Sequence, residues 1–170
     1  MGHPLPLISR RDRHSARALV EGCGLRFEEE LDDLVGVFAG GRLAGCGARR
    51  GRVLKMLVVA AEHRGAGLLG DIVTELMRRG REAGCDGFFI FTRPATAAAF
   101  QALGFKPLAE HEQAVLLEQG NGVQGWRRRQ AALARGGDNA ALIAAAPFSP
   151  QQQRLVVAAA ALADTLYVLV

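Results

Sequence analysis

Apolar residues in this chain change their spacing from stretch to stretch, and the spacing separates helices from strands. Ala16, Leu19 and Val20 share one helical face, Ser9 can serve as an N-cap, and Gly22 and Gly24 are stop signals, so a helix is expected to run to about Glu21. Leu34 to Ala39 and Arg42 to Ala48 are short runs on either side of Gly40-Gly41. Two glycines supply the positive φ angles of a tight two-residue turn, which predicts an antiparallel hairpin. Val53 to Ala60 is a further apolar run, followed by Glu62-His63-Arg64-Gly65-Ala66-Gly67-Leu68-Leu69-Gly70 and a helical pattern to about Ala83. In that pattern Leu68, Ile72, Leu76 and Met77 recur at helical spacing, while Arg78, Arg79 and Arg81 are polar. Phe88 to Thr92 predicts a strand, Thr96 to Leu103 a short helix closed by Gly104, and Ala114 to Glu118 another strand. Through residue 118 the order predicts a mixed α/β (α+β) domain with a mostly antiparallel sheet.

The remainder has a different rhythm. Trp126 to Arg135 predicts a basic helix, and Gly136-Gly137-Asp138 breaks it. Ala140 to Ala146 then predicts a buried strand, Pro147-Phe148-Ser149-Pro150 a turn, Gln151 to about Ala163 a helix, and Leu166 to Val170 a second strand. That is a βαβ unit with a crossover helix between parallel strands. Parallel strands are buried on both faces where they occur, so a lone pair is not expected to stand by itself. The expected organisation is a domain over 1–120, a basic linker helix over 121–138, and the start of a truncated second domain over 139–170.

Composition narrows the class. Hydrophobic residues make up 49% and charged residues 22% of the chain, which excludes a disordered, collagen-like or coiled-coil fibre. With 21 Lys+Arg against 17 Asp+Glu the net charge is +4, and the basic runs at Arg10, Arg11, Arg13 and at Arg127, Arg128, Arg129 are too sparse for a nucleic-acid partner. Cys23, Cys46 and Cys85 show no metal-ligand spacing and suit a reduced, cytoplasmic compartment. No apolar run approaches the ~20 residues of a membrane helix, and Met1 to Pro6 has no signal-peptide core. His3, His14, His63 and His111 are isolated, so no metal site is expected. Glu28, Glu29, Glu30, Asp32 and Asp33 form an acidic stretch whose plainer reading is a solvated loop or helix face and whose sharper reading is a metal or basic-partner site.

The turn at Arg64 to Leu69 carries the chemistry. Glycines let the backbone bend and approach a ligand, which leaves successive N–H groups at a helix N-terminus aimed at an anion such as a pyrophosphate. The dinucleotide fingerprint has a different glycine spacing and needs a ribose-binding acid about 20 residues on, where only Asp86 is offered. Arg64-Gly65-Ala66-Gly67-Leu68-Leu69 resembles the acyl-CoA loop of the N-acetyltransferase (GNAT) superfamily, with Leu69 where Gly or Ala is usual. Phe89-Ile90-Phe91-Thr92, a short Ala-rich helix and Leu103-Gly104-Phe105-Lys106 are similar to the strand, helix and Gly-Phe turn that follow in that superfamily. The resemblance implies a GNAT-like acyl-CoA N-acyltransferase fold that binds acetyl-CoA through Arg64 to Leu69. Acetyl transfer to an amine needs a base and often a tyrosine acid. The tyrosine position, five before Phe105, is Phe100, and the single tyrosine of the chain is Tyr167. Glu62 and His63 border the loop but read better as surface residues, so no catalytic residue is assigned.

The tail resembles the citrate lyase ligase family, in which a GNAT-like domain precedes a Rossmann-like, adenylyl-transferring domain opening with Asn-Pro-Phe-Thr-x-Gly-His. The family reaction uses ATP and acetate to acetylate the prosthetic-group thiol of the citrate lyase acyl-carrier subunit. Here Ala146-Pro147-Phe148-Ser149-Pro150-Gln151-Gln152 stands in the corresponding stretch, with Gln151 and Gln152 at the Gly and His positions. A neutral Gln lacks the cationic form that stabilises phosphate charge, and a side chain at the Gly position hinders close approach. The resemblance therefore implies a truncated, ligase-like protein with a degenerate nucleotide motif, doubtful ATP use, and a GNAT-like domain that binds acetyl-CoA. A stand-alone N-acetyltransferase and a non-catalytic module that docks an acyl-carrier protein are the alternatives.

Overall fold

The computed structural model describes residues 2–111 and 114–120. They fall into two compact units, one ending at Cys85 and one starting at Asp86. In the first unit, α1 (Arg10–Gly22) begins at Ser9, whose hydroxyl accepts the Asp12 N–H at 3.0 Å and donates to the Asp12 carboxylate at 2.7 Å. The helix ends as Gly24 turns left-handed (φ 75). Four strands form the sheet of this unit in the order β1 (Leu5–Pro6), β2 (Asp33–Ala39), β3 (Arg42–Arg50) and β4 (Val53–Val59), all antiparallel. Gly40 (φ 56) and Gly41 (φ 77) make the expected β2–β3 turn. A second tight turn, with Gly51 at φ 57, joins β3 to β4.

The β3 sequence explains how two helices sandwich this sheet. Cys46 and Ala48 point to one face, where they pack with Ala16 and Val20 of α1 and with Met56 and Val58 of β4. Gly45 and Gly47 point to the other, where α2 (Leu68–Glu82) lies so close that a Cβ on Gly47 would sit 2.7 Å from Ile72 Cγ2. Helix α2 buries Leu68, Ile72, Val73, Leu76 and Met77, each worth roughly 1.5–3 kcal/mol of transfer free energy. The register between β3 and β4 shifts between Cys46 and Ala48, leaving Met56 and Leu57 opposite Gly47. Met56 takes φ 50, a left-handed conformation costly for a side-chain-bearing residue, which is the signature of a bulge. Burial, reinforced by the neighbouring Cys23 thiol, pushes the Cys46 thiol up to about 12.

The acidic stretch is a loop into β2, yet it is not simply solvated, because each of its carboxylates finds a cation within the chain. Glu28 pairs with Lys55, Glu29 with Arg13 (3.2 Å) and Arg17, Glu30 with Arg50 (2.9 Å), and Asp32 and Asp33 with Arg49. Arg17 also lies over the Phe27 ring at 4.7 Å from its centroid. Among the described residues, no group of three or more His, Cys, Asp or Glu side chains is arranged to hold a metal, and no helix is long and apolar enough to cross a membrane.

The outer face of α2 carries a charge ladder. Glu75 accepts from Arg78 (2.8 Å) and Arg79 (2.7 Å), and Arg78 also pairs with Glu82. Hydrogen bonds from Arg78, then Arg79, hold the Glu75 carboxyl at about 2 against its ordinary 4.5, with partial burial acting in the opposite direction. A depressed carboxylate contributes stability that is complete above the unfolded value and is lost as pH falls through the folded one. Urea midpoints recorded between pH 4.5 and 2 are therefore expected to fall more steeply for the native chain than for Glu75→Gln. Equal slopes would show that the ladder is screened by solvent.

In the second unit, β5 (Gly87–Thr92) pairs antiparallel with β7 (Ala114–Gly120), and β7 with β6 (Lys106–His111). Phe88, Phe89, Ile90, Leu116 and Leu117 are buried. Helix α3 (Pro94–Gln101) packs on β7 and β6 through Ala97 and Phe100. It starts two residues before the expected Thr96 because Pro94 fits the first helical turn, and it closes with Gly104 at φ 88. The strands β1 and β6 were not expected from the sequence. The predicted helices and strands after residue 120 lie outside the described residues.

Candidate functional site

The loop singled out by its glycines lies between β4 and α2. A single 3₁₀ turn (Ala61–His63) leads to Arg64, and Gly65 (φ 81) and Gly67 (φ 80) both take the left-handed conformation that explains their presence. Arg64, Gly65, Ala66 and Gly67 are exposed, Leu68 is buried beneath them, and Leu69 is half-buried. Gly67 is the N-cap of α2 and brings no side chain to accept from the first turn. The amides of Leu68, Leu69 and Gly70 therefore lack a capping acceptor, at the end of the helix where the dipole favours negative charge. Nothing lies within 4 Å of where a Cβ would stand on Gly65 or Gly67, so the backbone there is open to an approaching ligand. Uncapped N–H groups at a helix N-terminus, beside an exposed arginine, are an arrangement that favours an anion.

No protein-family profile matches the chain. Over 78 residues it is 42% identical to the [citrate [pro-3S]-lyase] ligase of Klebsiella pneumoniae, covering 45% of this chain and 23% of that protein. The match thus spans less than a quarter of the relative's length. Among solved structures, the ribosomal-protein-S18-alanine N-acetyltransferase of Escherichia coli is similar over 71% of this chain and 94% of its own, with a TM-score of 0.60 and 15% identity. A GNAT-family acetyltransferase from Staphylococcus aureus aligns over 69% of this chain and 97% of its own, with a TM-score of 0.56 and 10% identity. The fold is that of the GNAT acetyltransferases. The N-acetylglutamate synthase of Neisseria gonorrhoeae, solved with coenzyme A and L-arginine, shares it over 71% of this chain and 34% of its own, with a TM-score of 0.56 and 15% identity.

Within this GNAT fold, Arg64, Gly65, Ala66 and Gly67 form one exposed turn, and Leu68 and Leu69 open α2 directly after it. Glu62 is exposed and His63 half-exposed on the 3₁₀ turn before it. Phe100 is 5% exposed in the packed face of α3 and carries no hydroxyl to donate a proton. Tyr167 and the stretch Pro147, Phe148, Ser149, Gln151, Gln152 lie outside the described residues.

One grouping escaped sequence reasoning. Lys55, with its side chain 10% exposed, projects from β4 onto Glu28, and the Glu28 backbone N–H points at Met56 Sδ at 3.2 Å. A charged pair is thereby held against the bulged residue of β4. The available signal was a lysine inside the otherwise apolar run Val53 to Val59.

Proposed function

We propose that the chain binds an acyl-CoA, acetyl-CoA first, with its pyrophosphate on the backbone of Arg64, Gly65, Ala66, Gly67, Leu68 and Leu69. The observation that carries this reading is the exposed turn with two left-handed glycines feeding an uncapped helix N-terminus. A neighbour of the same fold holding coenzyme A supports it. The 42% identity to a citrate lyase ligase favours a ligase-like protein, with an acyl-carrier subunit as acyl acceptor and the cytoplasm as its compartment. In that reading residues 1–120 are the GNAT-like domain, 121–138 a basic linker helix, and 139–170 the opening of a nucleotidyltransferase domain. Gln151 and Gln152 replace the residues that would meet ATP phosphates, so ATP-dependent ligation is not expected of this chain. A stand-alone N-acetyltransferase is the second reading, favoured by the solved neighbours that share the fold. It requires a base, and Glu62 and His63 on the turn before the loop read better as surface residues.

Calorimetric titration of the 170-residue chain with acetyl-CoA, and separately with ATP plus acetate, tests the reading. Saturable binding of acetyl-CoA alone is expected. Arg64 is exposed, so Arg64→Ala should leave stability unchanged while removing one charge-assisted phosphate contact, weakening binding about tenfold. Unchanged affinity in that variant would remove the loop from the site, and ATP binding would reinstate a working nucleotide motif.

A further inference from the structure

The entry to α1 departs from ordinary helix chemistry in three ways at once. Ile8 occupies the position before the Ser9 cap, where an apolar residue usually packs on an apolar residue at the fourth helical position. That fourth position is Arg13, which reaches away to the Glu29 carboxylate (3.2 Å) and backbone carbonyl (3.3 Å). Ile8 is left 82% exposed, and Leu5 on β1 is 57% exposed. Arg10 and Arg11 fill the first two helical positions, where the dipole disfavours cations, and both are exposed. Among the described residues neither forms an ion pair, since Asp12 is spent on the Ser9 hydroxyl and the acidic loop on other cations. Local choices that run against stability in this way mark a surface kept for another purpose.

The geometry points to this surface as a docking site for an acidic amphipathic helix on a partner protein, with Leu5 and Ile8 receiving its apolar stripe and Arg10 and Arg11 its carboxylates. A strand partner is disfavoured, because Pro4 and Pro6 remove N–H donors from the β1 edge. An anionic membrane is disfavoured too: lipid-binding clusters carry about four to eight cations, and here two arginines stand without an ion pair among the described residues. The chain's own segment around Arg127, Arg128 and Arg129 would bring like charge to the patch. The inference is independent of the acyl-CoA reading, since it involves no residue of the Arg64 loop.

Fluorescence anisotropy of the full chain supplies the test. The probe is a labelled helical peptide of about 18 residues with Leu at i, i+3, i+4 and i+7 and Glu elsewhere, and the control is a scrambled peptide of the same composition. The ordered peptide is expected to bind saturably and more tightly than the scrambled one, and to weaken as salt rises. Reversing both charges, Arg10→Glu with Arg11→Glu, should reduce affinity about tenfold or more, and Ile8→Asp by a similar factor. These side chains are exposed, so circular dichroism and the acetyl-CoA titration should not change. Equal binding of the two peptides, or binding indifferent to the substitutions, would overturn the inference. So would co-sedimentation with phosphatidylserine vesicles in the absence of peptide binding.

Discussion

Replacing Arg49 with Met is expected to destabilise the chain by about 3–5 kcal/mol, a large part of the roughly 5–15 kcal/mol that holds a domain folded. Arg49 has a side chain 7% exposed and stands opposite Asp33 in the β2–β3 register. Its guanidinium makes two bonds to Asp33 Oδ2 (2.7 and 2.6 Å), one to the Gly51 carbonyl (2.8 Å) and a longer one to Asp32 (3.4 Å). Removal would leave Asp33, itself 15% exposed, with Arg79 as its remaining cation at 3.6 Å. A largely buried carboxylate left with one distant cation is the costly product, more so than the loss of the attraction itself. A double-mutant cycle with Asp33→Ala distinguishes the two. If the penalty is an orphaned charge, the double variant should cost clearly less than the sum of the singles in urea unfolding. An additive result, or a single-variant cost below about 1 kcal/mol, would place the pair among surface bridges.

That network also shows where sequence reading runs out. Features set by neighbouring residues were legible: Ser9 as a cap, Gly40-Gly41 as a hairpin turn, Gly65 and Gly67 as a glycine turn before a helix. The acidic stretch was legible only as a solvated loop or helix face, or more sharply a metal or basic-partner site, because its cations lie far away in sequence: Arg13 and Arg17 on α1, Arg49 and Arg50 on β3, and Lys55 on β4. Strand β1 is only Leu5 and Pro6, preceded by Pro4, and β6 opens Lys-Pro-Leu-Ala without an apolar alternation, so neither carries a period to detect. Their pairing is imposed by β2 and β7. The chemistry-bearing groups divide along the same line: the candidate site on one side, the part-buried ion pair on the other. The site's loop is a local motif, whereas the Glu28–Lys55 pair against Met56 exists only once β4 is bulged and the acidic loop is folded over it.

The glycines of β3 lead to the second large expectation. Gly47→Ala should cost about 1–3 kcal/mol, and Gly47→Val more, although neither residue offends a strand's backbone preference. An added Cβ would stand 2.6 Å from Leu57 Cδ2, 2.7 Å from Ile72 Cγ2 and 3.1 Å from Leu76 Cδ1. Leu57 alone could swing away, but the Ile72 methyl is fixed at its branch point and Leu76 is fully buried, so α2 itself has to lift off the sheet. Helix α2 begins at the Gly67 cap, and lifting it would move the N–H groups that form the candidate anion site. Loss of stability in urea unfolding and a loss of acetyl-CoA affinity are therefore expected together in Gly47→Ala. Gly40→Ala is the control: it strains a left-handed turn (φ 56) with open space around it, so it should lower stability and spare binding. If Gly47→Ala behaved like Gly40→Ala, the close seating of α2 on β3 would not be what positions the loop.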